Sequence, residues 1–182
     1  MNVHDEQSLL QLARQTIAAK LSRQPLPEPA QLQPIPDEYG GVFVTIKNRG
    51  RLRGCIGQLS GDLPLAEAVQ RAAVSVLDDP RFVSLPVQLD ELASLSIEIS
   101  VLSPVKRTDD PLSLVVGVHG IYIRSEGRSA VFLPQVAVEQ GWDAPTFLSR
   151  CCATKAGLSP DAWRNPQTEV HLFTANVLSE SR

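Results

Sequence analysis

Two pairs of strand-like runs in this chain are separated by too few residues to be anything but hairpins. Residues 42–47 and 51–59 flank Asn48-Arg49-Gly50, and residues 121–124 and 129–133 flank Ser125-Glu126-Gly127-Arg128. A parallel crossover needs a dozen or more residues, so both pairs are expected to be antiparallel. Residues 94–102 alternate as a strand does, with Leu95, Ile97, Ile99 and Val101 on one side and Ser96, Glu98, Ser100 and Leu102 on the other. Further strands are expected over 112–116 and 169–177. Helical spacing of apolar residues marks 5–21 (Leu9, Leu10, Ala13, Ile17, Leu21) and 64–77 (Leu65, Val69, Ala72, Ala73, Val76). Ser60-Gly61-Asp62 is placed to cap the second of these. A short helix is expected from Gln135 and another over 144–156, ending at Gly157 as C′. Strands and helices interleaved with short hairpins predict an α+β domain: a mixed, largely antiparallel sheet with flanking helices.

The chain has 182 residues, 43% of them hydrophobic, which suits one domain over 1–182 with a substantial core. Pro25, Pro27, Pro29, Pro34 and Pro36 forbid regular helix over 22–40 and point to an extended strap, since too few residues precede it for a separate domain. A net charge of −3 without a basic run argues against nucleic acid as partner. No apolar run reaches the length of a membrane span, and no basic segment followed by an apolar one opens the chain, so neither membrane insertion nor a secretory leader is expected. The three cysteines are Cys55, Cys151 and Cys152, an odd count with two adjacent members, which is a poor disulfide framework and points to a reducing, cytoplasmic setting. Cys151 and Cys152 fall on a helix face beside Phe147 and Leu148, where core packing is expected.

The chemistry is concentrated in Arg51-Leu52-Arg53-Gly54-Cys55-Ile56-Gly57. Neighbouring arginines offer forked donors to carboxylate or phosphate and supply the positive field that lowers a thiol pKa. Gly54 and Gly57 mark positive φ or a close approach to the backbone. The segment can therefore be an anion cradle, a reactive cysteine, or a corner in which Cys55 is a small buried hydrophobe. An anion held by Arg53 would also feel the N-terminus of the helix that follows. Arg81 is a further cleft candidate, or a surface partner for Asp79. Glu98, in mid-strand, lines a polar cleft or a solvated sheet face, and His119 sits in a tight turn between Gly117 and Gly120.

Leu52-Arg53-Gly54-Cys55-Ile56-Gly57 after the strand ending Val44-Thr45-Ile46-Lys47 resembles the signature of the AMMECR family. Asp79-Pro80-Arg81-Phe82, residues 97–104, Gly117-x2-Gly120-Ile121, Leu133-Pro134-Gln135-Val136-Ala137, Gly141-Trp142-Asp143 and Lys155-Ala156-Gly157-Leu158 resemble further family blocks in the family's order. The resemblance implies a two-lobed α+β domain whose larger lobe carries a sheet with flanking helices, and a cleft lined by the Arg-Gly-Cys segment. It also implies association with Memo-like and radical-SAM proteins, but names no reaction. The turn held here by His119 carries other polar residues elsewhere in the family, which counts against a family-wide role for it.

Two functions follow from these residues. In the first, Cys55 is the nucleophile of a transferase or hydrolase, with Glu98 or His119 as proton acceptor. Arg53 and Arg81 then hold a small anionic substrate, and the amides near Gly54 and Gly57 stabilise developing negative charge. In the second, the cleft is a non-catalytic module that binds a ligand or docks partner proteins, with Trp142 and Trp163 either on that surface or anchoring the core. A metal held by Cys55, Glu98 and His119 has no supporting spacing, so no metal and no cofactor are expected.

Overall fold

A computed structural model of the protein describes residues 3–29 and 39–180. They cluster into two compact units: one runs to Leu102 and resumes at Asn176, and the other is Ser103–Ala175. Both have the expected α+β character, with antiparallel strands on one side and helices on the other.

The first unit opens with α1 (Val3–Ser22), whose Leu9, Ala13 and Ile17 are fully buried as the periodicity requires. β1 (Gly41–Asn48) and β2 (Arg51–Gln58) form the first hairpin. Its turn places both Arg49 and Gly50 at positive φ, 50° and 79°, which is the mirror-image turn that matches strand twist. α2 (Leu65–Ser75) runs on into a tighter turn, Val76–Asp78, and β3 (Leu95–Leu102) returns beside β1. The sheet therefore has β2 at its edge and β1 between β2 and β3. Val44, Ile46, Ile97 and Ile99 share the face that packs on α1 and α2, where Val69, Ala73 and Val76 meet them in one apolar core. Among the described part of the proline strap, the carbonyl of Pro27 accepts from Gln70 of α2 at 2.6 Å; Pro34 and Pro36 lie outside the described residues.

The second unit contains β4 (Lys106–Thr108), β5 (His119–Ser125), β6 (Arg128–Phe132), α3 (Pro134–Gln140), α4 (Ala144–Arg150) and most of β7 (Glu169–Ser179). β7 pairs antiparallel with β4 and β5, and β5 with β6 through a second mirror-image turn at Glu126 and Gly127. α4 passes into a wide, π-helical turn, Cys151–Ala156, closed by Gly157 at φ 65°. Cys151 and Cys152 are fully buried there among Ile121, Ile123 and Phe147. Burial pushes the Cys151 thiol pKa up, and the neighbouring Cys152 adds to it. Trp163 is also core, its indole N–H donating to Ser149 at 3.0 Å, so it is an anchor and not part of an exposed surface.

Three expectations are corrected. Residues 112–116 are not a strand: Pro111 has no N–H for a ladder and Asp110 accepts from the Leu112 amide, which makes the short turn Pro111–Ser113. Ser60 and Asp62 do not cap α2; they bond to each other, and Pro64 holds the cap position without a side-chain oxygen. The end of α2 that meets the Arg-Gly-Cys segment is its C-terminal end, so the helix N-terminus supplies no field there.

Candidate functional site

Antiparallel pairing fixes which side chains of the motif share a face. Thr45 of β1 stands opposite Cys55 on one side and Glu98 on the other, so Cys55, Thr45 and Glu98 form a row across three strands. The row lies on the sheet face turned away from α1 and α2, because the alternate residues Val44, Ile46, Ile97 and Ile99 fill the core. The backbone N–H and C=O of Cys55 point out from the sheet edge, as described below, so Cys55 and Thr45 form a pair without ladder bonds, the kind that brings side chains closest. The Thr45 hydroxyl accordingly donates to Cys55 Sγ at 3.1 Å. Lys47, two residues along from Thr45, reaches Glu98 at 2.9 and 3.1 Å. Ser100, two along from Glu98, is buried with no hydrogen-bond partner for its hydroxyl among the described residues. A half-buried thiol thus sits in a polar row on a sheet whose other face is apolar.

The outer edge of β2 is closed by Asp79 and Arg81, which follow α2. Asp79 Oδ2 accepts the Cys55 amide at 2.9 Å, and Arg81 donates to the Cys55 carbonyl at 3.3 Å. Arg81 also grips Asp79 side-on, at 3.0 and 2.7 Å. The Asp79 side chain is almost wholly buried, 1% exposed, while the Arg81 side chain is 47% exposed. Burial works to raise the Asp79 pKa, but hydrogen bonds from the Arg81 side chain, the Cys55 amide and the Arg81 amide outweigh it and hold the carboxyl at about 2.

Arg53 is the extra residue of a β-bulge: Ile46 pairs with Gly54 and Lys47 already with Leu52. The bulge turns its side chain to Glu91, bound at 3.0 and 2.8 Å, and to the carbonyls of Leu85 at 3.0 Å and Pro86 at 3.4 Å. Glu91 also accepts from Asn48 at 2.7 Å and the Gln88 amide at 3.1 Å. The bond from Arg53 is the main cause that brings the Glu91 pKa down to about 2, against burial. An external anion at Arg53 would have to displace this carboxylate.

The two motif glycines serve close approach, with no positive φ. A Cβ at Gly54 would lie 2.5 Å from the Val76 carbonyl oxygen, and one at Gly57 would run into the Val42 carbonyl and the Phe43 ring. His119 belongs to the second unit, where its Nδ1 accepts the Val115 amide at 2.9 Å and so closes its own turn. Among the described residues no three His, Cys, Asp or Glu side chains gather to hold a metal ion, and no helix is long and apolar enough to cross a membrane.

The structure thus joins Cys55 to Arg81 directly and to Glu98 through Thr45, and gives Arg53 a separate ion pair. Sequence reasoning passed over Thr45, Lys47, Asp79 and Glu91 as site residues. Lys47 follows from hairpin register, but Thr45 does not: counting back from the turn puts Val44 opposite Cys55, and the bulge at Arg53 shifts the pairing by one to Thr45. Glu91 and Asp79 meet the motif from 38 and 24 residues away, with no local pattern to announce them.

Comparison with known proteins agrees with this architecture. Residues 10–178 match the family model AMMECR1. Protein MK0488 of Methanopyrus kandleri is 41% identical over 192 residues, covering 99% of this chain and 90% of its own. Protein TK0174 of Thermococcus kodakarensis is 40% identical over 184 residues, covering 94% and 88%. The crystal structure of the uncharacterized protein PH0010 from Pyrococcus horikoshii superposes with a TM-score of 0.86 at 39% identity, covering 95% of this chain and 90% of that one. With the match running through both units and the Arg-Gly-Cys strand, the chain belongs to the AMMECR1 family.

Proposed function

We propose that this protein is a cysteine-dependent enzyme, a transferase or hydrolase acting on a small anionic substrate in a reducing, cytoplasmic setting. The observation that carries this is the cross-strand row: Cys55 Sγ accepts from Thr45 on the polar face, with Lys47 and Glu98 beside them. A hydrogen bond donated to sulfur favours the thiolate, as does the cationic group of Arg81. Cys55 is the nucleophile, and Arg81, with its half-exposed side chain, receives the substrate's anionic group. Glu98, in the same row beyond Thr45 and paired with Lys47, is the proton acceptor. Arg53, Gly54 and Gly57 act by fixing the strand that carries the nucleophile.

The test is the pH dependence of alkylation by iodoacetamide in the native protein, read per cysteine by peptide mass spectrometry. Cys151 and Cys152 are internal controls, being fully buried. Rapid labelling of Cys55 at neutral pH is the expected result. Labelling only on unfolding would remove the nucleophile from this account.

One observation favours a second function, partner docking. The segment that Arg53 pins through its carbonyls displays Val83, Leu85 and Leu89 at 70%, 66% and 51% exposure. Leu85 also lines a cleft of about 790 Å³ with Arg49 and Arg51. Memo-like or radical-SAM proteins are the partners the family resemblance implies, and unchanged binding of these by a Cys55→Ser variant alongside an unreactive thiol would favour docking.

A further inference from the structure

Among the described residues no strand neighbours the outer edge of β2 at Cys55, and its amide and carbonyl are satisfied by Asp79 and Arg81. The geometry points to this ion pair as the positioning element of the thiol: it clamps the Cys55 backbone like a missing strand and sets the charge balance around Sγ. The inference rests on and deepens the cysteine-dependent reading: Asp79 acts only through Cys55, and Arg81 does so in addition to receiving the substrate.

Two features of the clamp support it. An Asp-Arg pair that only held its own loop would not need a carboxylate side chain 1% exposed, four times hydrogen-bonded, with one of those bonds reaching across to the edge-strand amide of Cys55. And each member binds Cys55 by its own group, the anion at the nitrogen and the cation at the oxygen, so both charges sit one residue's width from the sulfur. Held this way, Cys55 stays in its close pair with Thr45, and Sγ stays on the hydroxyl. Among the described residues, the charges around the thiol are Asp79 and Arg81 from the segment after α2, and Lys47 from β1 paired with Glu98 from β3; on β2 itself Arg53 is neutralised by Glu91. Substitution within the clamp leaves the other four unchanged.

The two members act on the thiolate with opposite sign. Removing the Asp79 charge leaves Arg81 uncompensated and favours the thiolate; removing the Arg81 charge leaves Asp79 uncompensated and disfavours it. For single charges beside a partly solvated thiol, each change is on the order of one pH unit, about tenfold in thiolate fraction at neutral pH.

The experiment is a thiolate titration by ultraviolet absorbance of the full chain as wild type, Asp79→Asn and Arg81→Gln, with iodoacetamide rates measured in parallel. Cys151 and Cys152 are silent, their pKa values being raised by burial. The expected result is a midpoint that falls in Asp79→Asn and rises in Arg81→Gln. A merely structural pair would loosen the edge in both variants, moving both midpoints the same way and speeding labelling in both; that result, or unmoved midpoints, overturns the proposal. If Asp79→Asn does not fold, Arg81→Lys replaces it: a rise in Arg81→Gln that Arg81→Lys restores supports the clamp, and equal midpoints overturn it. Opposite shifts with a thiol that resists alkylation would refute the enzyme reading and leave the clamp standing; ready alkylation with same-sign shifts would do the reverse.

Discussion

Replacing Arg53 by Leu would separate a structural arginine from a substrate-binding one. Arg53 is 9% exposed and places its donors on Glu91 and on the Leu85 and Pro86 carbonyls. In the variant Glu91 keeps only Asn48 and the Gln88 amide, a partly buried carboxylate without its cation. Breaking a buried pair from one side costs about 3–5 kcal/mol. The pH-dependent share follows from Glu91 itself: its drop from 4.5 to about 2 corresponds to at most about 3 kcal/mol, of which Arg53 supplies the largest part and Asn48 and the Gln88 amide the rest. Because the folded pKa lies below the unfolded one, that stability is complete above about pH 4.5 and is lost as pH falls toward 2. Asp79 weakens over the same acid range in wild type and variant alike, so it cancels in the difference. The assay is urea unfolding by far-ultraviolet circular dichroism with hydrogen exchange at the β1 and β2 amides; tryptophan fluorescence would report the wrong unit, since Trp142 and Trp163 both lie in Ser103–Ala175. The expected gap between wild type and variant is several kcal/mol at neutral pH and shrinks in acid. A gap below about 1 kcal/mol, or one that is flat with pH, would refute the pairing argument.

Other perturbations are as direct. Gly57→Ala drives a methyl into the Val42 carbonyl and is expected to lower stability by about 3 kcal/mol, seen as a lower denaturation midpoint; no change would contradict the close packing. Thr45→Val keeps the shape but removes the donor to Sγ, so the Cys55 thiolate midpoint should rise by about one pH unit with little loss of stability, whereas an unmoved midpoint takes Thr45 out of the site. Glu180→Gln weakens the pairing with Arg14 and the bond to the Ile97 amide, and should speed hydrogen exchange at Ile97 while costing about 1 kcal/mol. Equal exchange there would show that the contact does not hold β3.

Local chemistry made much of the fold legible. The Asn48-Arg49-Gly50 turn, the stripe on α1 and the glycine stop at Gly157 follow from rules that act over a few residues. The expected strand at 112–116 failed because apolar Leu114 and Val115 outweighed the proline and the aspartate cap beside them. At the site, the importance of the motif was visible but its wiring was not. Two arginines near a cysteine read as an open cationic cradle, while Arg53 faces Glu91 because a bulge turned it away. The Asp79–Arg81 pair was foreseeable as a pair; that it closes a strand edge at Cys55 required the tertiary placement of α2.

The chain leaves the first unit at Leu102 and re-enters it at Asn176, and that detour governs the order of assembly. On the ribosome α1, the first hairpin and α2 emerge early, yet Arg14 must wait for a partner 166 residues downstream. Until then it has only the Leu92 and Leu95 carbonyls, and β3 lacks the carboxylate that receives the Ile97 amide. The Cys55 strand is therefore translated long before the unit around it can close, and the whole second unit is made while the first is still unfinished.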